Sequence, residues 1–398
     1  MRSEFVDGPV RGERLRDLAE MEGLTLTSLA AQLGITQGHL SKIVNGSTPP
    51  PARVLELAAL RFDLPTTFFS ALPIPEENAP LTYRKKASSG ARSDKRITRL
   101  FKEASRFWTS TATACALPAP EVTRLRSIGD HGDVEYAADL VRETVNLSDK
   151  PIPNMVRLAE RLGVGVIIGL DPNVASSPEG GFSQSESGHS DYSGATCPSA
   201  RTERPLIVTI APQPGAVQRM TIAHELGHIL YDLNLVAPPR SRDLEEKRAF
   251  EFAGALLLPA PAMREHINET SSLAAYLRMK AKYGASVGAI VMRAQHLCLI
   301  SAERARSLHI QIASRGWRDA EPVNVPDEKP LLITQATRRA WPNDTIDCAA
   351  ASSGTKHSYI RAWMSGNSQQ ETNEDARIIS FRHARARRRR PFSPSADA

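Results

Sequence analysis

The chain has 398 residues, 41% of them hydrophobic, which suits two or three packed domains rather than one. Its four cysteines (Cys115, Cys197, Cys298, Cys348) are far apart and form no CxxC pair, which argues against a disulfide framework and against a cysteine-based zinc site. The formal charge of +6 resides in residues 377–398, with seven Arg and one acid, Asp397, so the basic balance says little about the rest. The charged N-terminus lacks the apolar stretch of a signal peptide, and no apolar run approaches bilayer length; a cytoplasmic protein without a membrane partner is expected.

From Arg11, Leu15, Leu18 and Met21 fall at helical spacing, and Gly23 ends that helix. Thr25 is placed to cap a second, short helix with Leu29, Ala30 and Leu33 inward. After Gly34, Thr36 caps a third, Gln37 to Val44, closed by Asn45-Gly46. A proline run at 49–51 starts a fourth, which Leu64-Pro65 ends. Two short helices joined by a tight glycine turn make a helix-turn-helix, the second helix sized for the major groove of a double-stranded DNA operator. Its candidate DNA-binding residues are Thr25, Thr36, Gln37, Gly38, His39, Ser41 and Lys42: amide groups suit adenine edges, and hydroxyl and ammonium groups suit phosphate or guanine. Residues 1–70 hold seven basic and eight acidic side chains, so a homodimer, or help from a neighbouring basic stretch, is expected for tight binding.

The segments GERLRDLAEMEGLT, SLAAQLGITQGHLSKIVNG and LPTTFF resemble the XRE (Cro-like) helix-turn-helix family. Leu26 stands where that family often has Gln, and Val44 where it often has Glu.

Pro73, Pro75 and Pro80 mark a linker, and residues 84–106 carry nine Lys or Arg against Asp94 and Glu103. Such a run can meet phosphates or form a solvated helix face. Residues 95–108 read as an amphipathic helix, Glu135–Thr144 and Asn154–Leu162 as two more, and Val164–Ile168 as a strand. The Ser/Gly-rich stretch 173–204 reads as a surface loop, in which His189 is not expected to be a ligand. Leu206–Ile210 is a second strand, next to which a peptide could add as a further strand.

His224-Glu225-Leu226-Gly227-His228 follows. Two histidines four apart share one face of a helix, so both imidazoles can reach one metal ion, and Glu225 beside them can take a proton from a water held there. A catalytic zinc needs a third protein ligand. Tyr231 and Asn234 occupy the Gly and His positions of the metzincin motif, which excludes that version. The next helix, Leu244–Leu258, buries Ala249, Phe252, Ala253, Leu256 and Leu257 and puts Glu246 on its inward side. Glu245 is the rival, rotated by about 100°, and either acid could simply complement the helix dipole. Gly227 would let another element approach the motif helix.

RPLIVTI, QRMTIAHELGHIL and EEKRAFEFAGALLLP resemble the ImmA/IrrE family of zinc-dependent endopeptidases. PIPNMVRLAERLGVGVIIGLD before them, and KAKYGASVGAIVMRAQHLCLIS and RGWRDAEP after them, resemble the flanking segments of long XRE–ImmA/IrrE fusion regulators. The resemblance implies Zn2+ held by His224, His228 and Glu246, Glu225 as the base, and a protein substrate: a repressor or the chain itself. It fades after Pro330. The expected architecture is multidomain: an all-α helix-turn-helix domain at 1–70, a basic linker and helix at 71–120, an α+β zincin-like metallopeptidase domain at 121–335, and a disordered Arg-rich tail at 336–398. The expected function is a DNA-binding transcriptional regulator whose peptidase domain senses a signal or cleaves a regulatory protein. The rivals are an endopeptidase with the helix-turn-helix as targeting module, and a non-catalytic sensor.

Overall fold

The structure, a computed structural model, describes residues 9–82, 91–126, 133–175, 194–240, 242–318 and 320–365. Residues 84–86, His189 and the Arg-rich stretch 377–398, all singled out by the sequence, lie outside the described residues.

Four helices open the chain on the expected segments: α1 (Arg14–Met21), α2 (Leu26–Gln32), α3 (Gln37–Val44) and α4 (Ala52–Phe62). Local chemistry sets their starts. The Thr25 hydroxyl accepts from the Ser28 N–H at 3.0 Å, and the Thr36 hydroxyl from the His39 N–H at 3.2 Å. Gly34, between α2 and α3, sits at φ +66°, where a side chain would be strained. Leu15, Leu18, Leu29, Leu40 and Ile43 are fully buried between these helices.

Two 3-10 turns, Thr66–Ser70 and Pro75–Glu77, lead to the long helix α5 (Ala91–Ala114). Then come α6 (Glu121–Leu125), α7 (Val134–Thr144), α8 (Met155–Arg161), β1 (Gly165–Ile168), α9 (Pro172–Ala175), β2 (Gly194–Thr196) and β3 (Leu206–Thr209). The histidine motif lies on α10 (Gly215–Tyr231), and α11 (Leu244–Leu257) returns beside it. Helices α12 (Ala260–His266), α13 (Leu273–Tyr283), α14 (Val287–His296) and α15 (Ala302–Ser314) follow. The chain closes with α16 (Leu332–Ala340), α17 (Thr345–Ser353) and α18 (His357–Ser365).

The sheet has the order β1-β3-β2. β1 runs parallel to β3, with Val166 opposite Ile207, and β2 runs antiparallel to β3, with Ala195 opposite Val208. Side chains of a strand point alternately to its two faces, and here both faces are covered. Val166 and Ile207 enter a core shared with α8, α10, α11 and α12–α15. Ile167, Leu206 and Val208 enter a second core shared with the first four helices, α5 and α16–α18. The sheet is thus the wall between two cores, and the first helices do not stand alone.

Three sequence expectations change. Strand β3, beside which a peptide is expected to add, is the central strand, paired with β1 and β2 on its two sides, so an added strand could be taken only at a sheet edge. The basic run around α5 is largely not a free surface. Arg96 pairs with Asp171 at 2.7 Å, Arg99 with Asp17 at 2.8 Å and with Glu77 at 2.9 Å, and Arg106 with Glu77 at 2.9 Å. Within it, Arg92 and Lys95 remain exposed among the described residues. Nor is 336–365 disordered. Ile333, Ala336, Ala349, Ile360 and Trp363 are buried against α5 and the first helices. Trp363 donates to the Leu170 carbonyl at 2.9 Å, and Tyr359 donates to Glu22 at 3.0 Å. The sequence shows little periodicity here because α17 buries alanine and serine, whose hydropathy differs little from their neighbours.

Between the first helices and α5 sits a buried ion pair. Arg14 donates to both oxygens of Glu103, at 2.7 and 3.0 Å, and to the Phe68 carbonyl at 2.9 Å, with its guanidinium carbon 3.9 Å from the Phe68 ring centre. Burial alone would raise the Glu103 carboxyl; Arg14, with Arg106 and Arg99, outweighs it and holds the group below its ordinary value.

Candidate functional site

Helix α10 is buried along almost its whole length, every residue from Gln218 to Leu230 included. Its start is fixed by the segment after α15: Gln218 donates to the Glu328 carbonyl at 2.9 Å, and Arg219 is salt-bridged to the Glu328 carboxylate. Gly227 is where α11 comes closest. A methyl group there would meet Ala249 Cα and the Phe252 ring, each at 3.1 Å. That contact, which the glycine in the motif predicts, brings α11 near enough to place Glu246 over the histidines.

The three donors converge. His224 Nε2 lies 3.0 Å from His228 Nε2 and 3.4 Å from Glu246 Oε2, and His228 Nε2 lies 3.5 Å from Glu246 Oε1. All are buried, at 2%, 0% and 1% exposure. Bonds of about 2.0–2.2 Å in a tetrahedron put ligand atoms about 3.3–3.6 Å apart; both His–Glu separations fall in that range, and the His–His separation of 3.0 Å is slightly short of it. Two imidazoles and one carboxylate at these separations fit a zinc ion that keeps a fourth position open, and they form the one such group found among the described residues. Glu245 is half-buried and takes no part in it.

Asp232, which the motif itself does not mark, orients the second histidine. It lies four residues after His228 and accepts from His228 Nδ1, which leaves Nε2 with its lone pair toward the other donors. Arg248 of α11 in turn donates to Asp232 and lies over the Tyr231 ring, 4.8 Å from its centre. Burial pushes the Tyr231 phenol up to about 12, with Arg248 opposing, so the hydroxyl stays protonated; it donates to the Asp133 carbonyl at 3.3 Å. The i, i+4 spacing of His228 and Asp232 was the available signal.

Glu225 is 3% exposed and faces β2, the edge strand hidden in the Ser/Gly-rich stretch. Gly194 makes room for it: a methyl group there would meet Thr221 Cγ2 at 2.5 Å and Glu225 Oε1 at 2.9 Å. Its other oxygen, Oε2, accepts from the Thr82 hydroxyl at 2.6 Å, a contact across 143 residues that no local pattern announces.

The second candidate surface is α3. Thr25, Thr36, Gln37, Gly38 and Lys42 are exposed, and His39 and Ser41 are half-buried. Arg16 donates to Asn45 at 2.9 Å and steadies the end of α3.

Known families match both regions. The family model described as a helix-turn-helix domain matches residues 12–66, and the one described as an IrrE N-terminal-like domain, of a peptidase family, matches residues 182–295. No curated protein matches the chain. The chain thus carries a helix-turn-helix domain followed by an IrrE N-terminal-like domain, the combination that its resemblance to XRE–ImmA/IrrE fusions implies. No helix among the described residues is long and apolar enough to cross a membrane.

Proposed function

We propose that this protein is a DNA-binding transcriptional regulator whose second domain is a zinc-dependent endopeptidase acting on a regulatory protein, a partner repressor or a copy of itself. The observation that carries the reading is the convergence of His224, His228 and Glu246 at tetrahedral spacing, with Glu225 adjacent and a sheet edge beside it. A zinc ion held by these three residues would supply Lewis-acid polarisation of a peptide carbonyl and make a water molecule acidic enough to attack. Glu225, beside these donors, would be the base that takes up a proton from water and passes it to the leaving amine. Asp232 holds His228 in the tautomer that binds metal. Helix α3 presents Gln37 and Lys42 to the operator, with Thr25 and Thr36 at the helix starts near phosphates. Two copies per operator compensate for the near-neutral charge of residues 1–70.

The test compares wild type with Glu225→Gln for bound zinc, proteolysis and binding to a DNA site selected from a random pool. Wild type should hold zinc and cleave; the variant should hold zinc, fail to cleave and still bind DNA. A variant that regulates its target normally would assign the domain to sensing instead of catalysis, and a wild type without zinc would remove the metal claim.

A further inference from the structure

We propose that the chain carries its own ligand for the peptide groove: the linker residues Leu81 and Thr82 lie against the free edge of β2 and hold Glu225, so that a substrate must displace them. The inference rests on the peptidase reading above and adds to it the identity of the groove's resident.

Leu81 and Thr82 come from a proline-marked linker, yet they are 5% and 2% exposed. The Thr82 N–H donates to the Thr196 carbonyl at 3.0 Å, and the Thr196 N–H donates to Thr82 Oγ1 at 2.9 Å. Thr196 belongs to β2, whose opposite side pairs with β3, so these bonds occupy the edge of the sheet. That edge is where an extended peptide would add by main-chain hydrogen bonds. The Thr82 hydroxyl has one proton to donate. Glu225 Oε2 is its closer acceptor, at 2.6 Å against 3.2 Å for the Thr196 carbonyl, and a bond of that length to a carboxylate is among the stronger kinds. One hydroxyl therefore joins the strand that would bind substrate to the residue that would move the proton.

The linker is tied at its other end to the DNA-reading half. Five residues before Thr82, Glu77 accepts from Arg99 and Arg106 of α5, each at 2.9 Å, and Lys102 donates to its carbonyl at 2.7 Å. Helix α5 is locked to α1 by Arg14 and Glu103. Five residues span at most about 18 Å fully extended, so a shift of α1 and α5 has little slack to absorb before it reaches Thr82.

The full-length protein, with and without zinc, tests this in wild type, Thr82→Val and Thr82→Ser. Two readouts are taken: hydrogen exchange at the Thr196 amide, and hydrolysis of fluorescein-labelled casein. Thr82→Val keeps the shape and loses the hydroxyl. It should speed Thr196 exchange about tenfold, the scale of one lost hydrogen bond in a buried site, in both zinc states, and raise casein hydrolysis several-fold. Thr82→Ser restores the hydroxyl and should behave as wild type. Equal, fast Thr196 exchange in wild type and Thr82→Val overturns the proposal, and so does faster exchange without faster hydrolysis in proteins that do cleave. If none of the proteins cleaves casein while all bind zinc, the peptidase reading fails, and the exchange data alone decide whether Thr82 holds the groove.

Discussion

Helices α10 and α3 carry the two candidate sites and are built in opposite ways. In α10 the polar residues are interior: His224, Glu225 and His228 are almost fully buried, and each faces partners from other elements. In α3 only Leu40, Ile43 and Val44 are buried, and the polar residues look outward. A buried polar group is costly unless its partner is in place, so a site on α10 must be assembled by the whole domain. An outward polar group costs little, so α3 needs only to be held at the right angle. The first kind of site should be sensitive to single changes in its supporting residues, and the second should lose function in small, additive steps.

The largest effect expected from this contrast is at Glu246. Replacing it by Ala should abolish tight zinc binding, and removing zinc from wild type by a chelator should lower the melting temperature by several degrees, because buried ligands that held a cation then face one another. Calorimetry with and without chelator checks this; an unchanged melting temperature would show that the three side chains are content without metal.

Next is the junction that angles the DNA-reading helices. Arg14→Ala takes the two short hydrogen bonds from buried Glu103 and leaves it only Arg106 at 3.8 Å and Arg99 at 4.0 Å, so it should destabilise the protein by about 3 kcal/mol, the low end for breaking a buried pair, read from denaturant unfolding. The same pair predicts acid sensitivity. The Glu103 carboxyl is held below its ordinary value of 4.5 in the folded protein, so its contribution is present above that pH and is lost as pH falls through the depressed folded-state value. Glu103→Gln should flatten the acid limb of the stability profile; an identical limb would assign acid unfolding to other carboxylates.

Asp232→Asn comes third. The variant can still meet His228 but no longer favours the metal-binding tautomer, and zinc affinity should fall about 10–100-fold in a competition titration. The smallest effect is on α3: Lys42→Ala should weaken binding to all DNA sequences alike and reduce the salt slope by about one, with zinc content unchanged. A Lys42 change that altered zinc binding would erase the distinction between the two kinds of site.

What the sequence disclosed follows the same division. Caps at Thr25 and Thr36 and the glycine turn at Gly34 are local signals, and α1 to α4 form where they point. The motif on α10 and the buried stripe of α11 are equally legible, because helical spacing decides both and puts Glu246, not Glu245, on the inward side. Features held by distant partners were not visible. The three-residue strand Gly194–Thr196 is too short for alternation to show, and it exists because β3 and Thr82 bond it from two sides. The arginines of α5 read as a basic surface because their partners Asp17, Glu77 and Asp171 come from other parts of the chain. Helices α17 and α18 are stabilised by the core they complete, which no window of their own sequence contains.

The most direct measurement is the zinc stoichiometry of purified wild type, His224→Ala, His228→Ala, Glu246→Ala and Glu225→Gln by elemental analysis. The account predicts one zinc per chain in wild type and in Glu225→Gln, and none retained tightly in the other three. Zinc absent from wild type, or retained at full stoichiometry when Glu246 is removed, would contradict it.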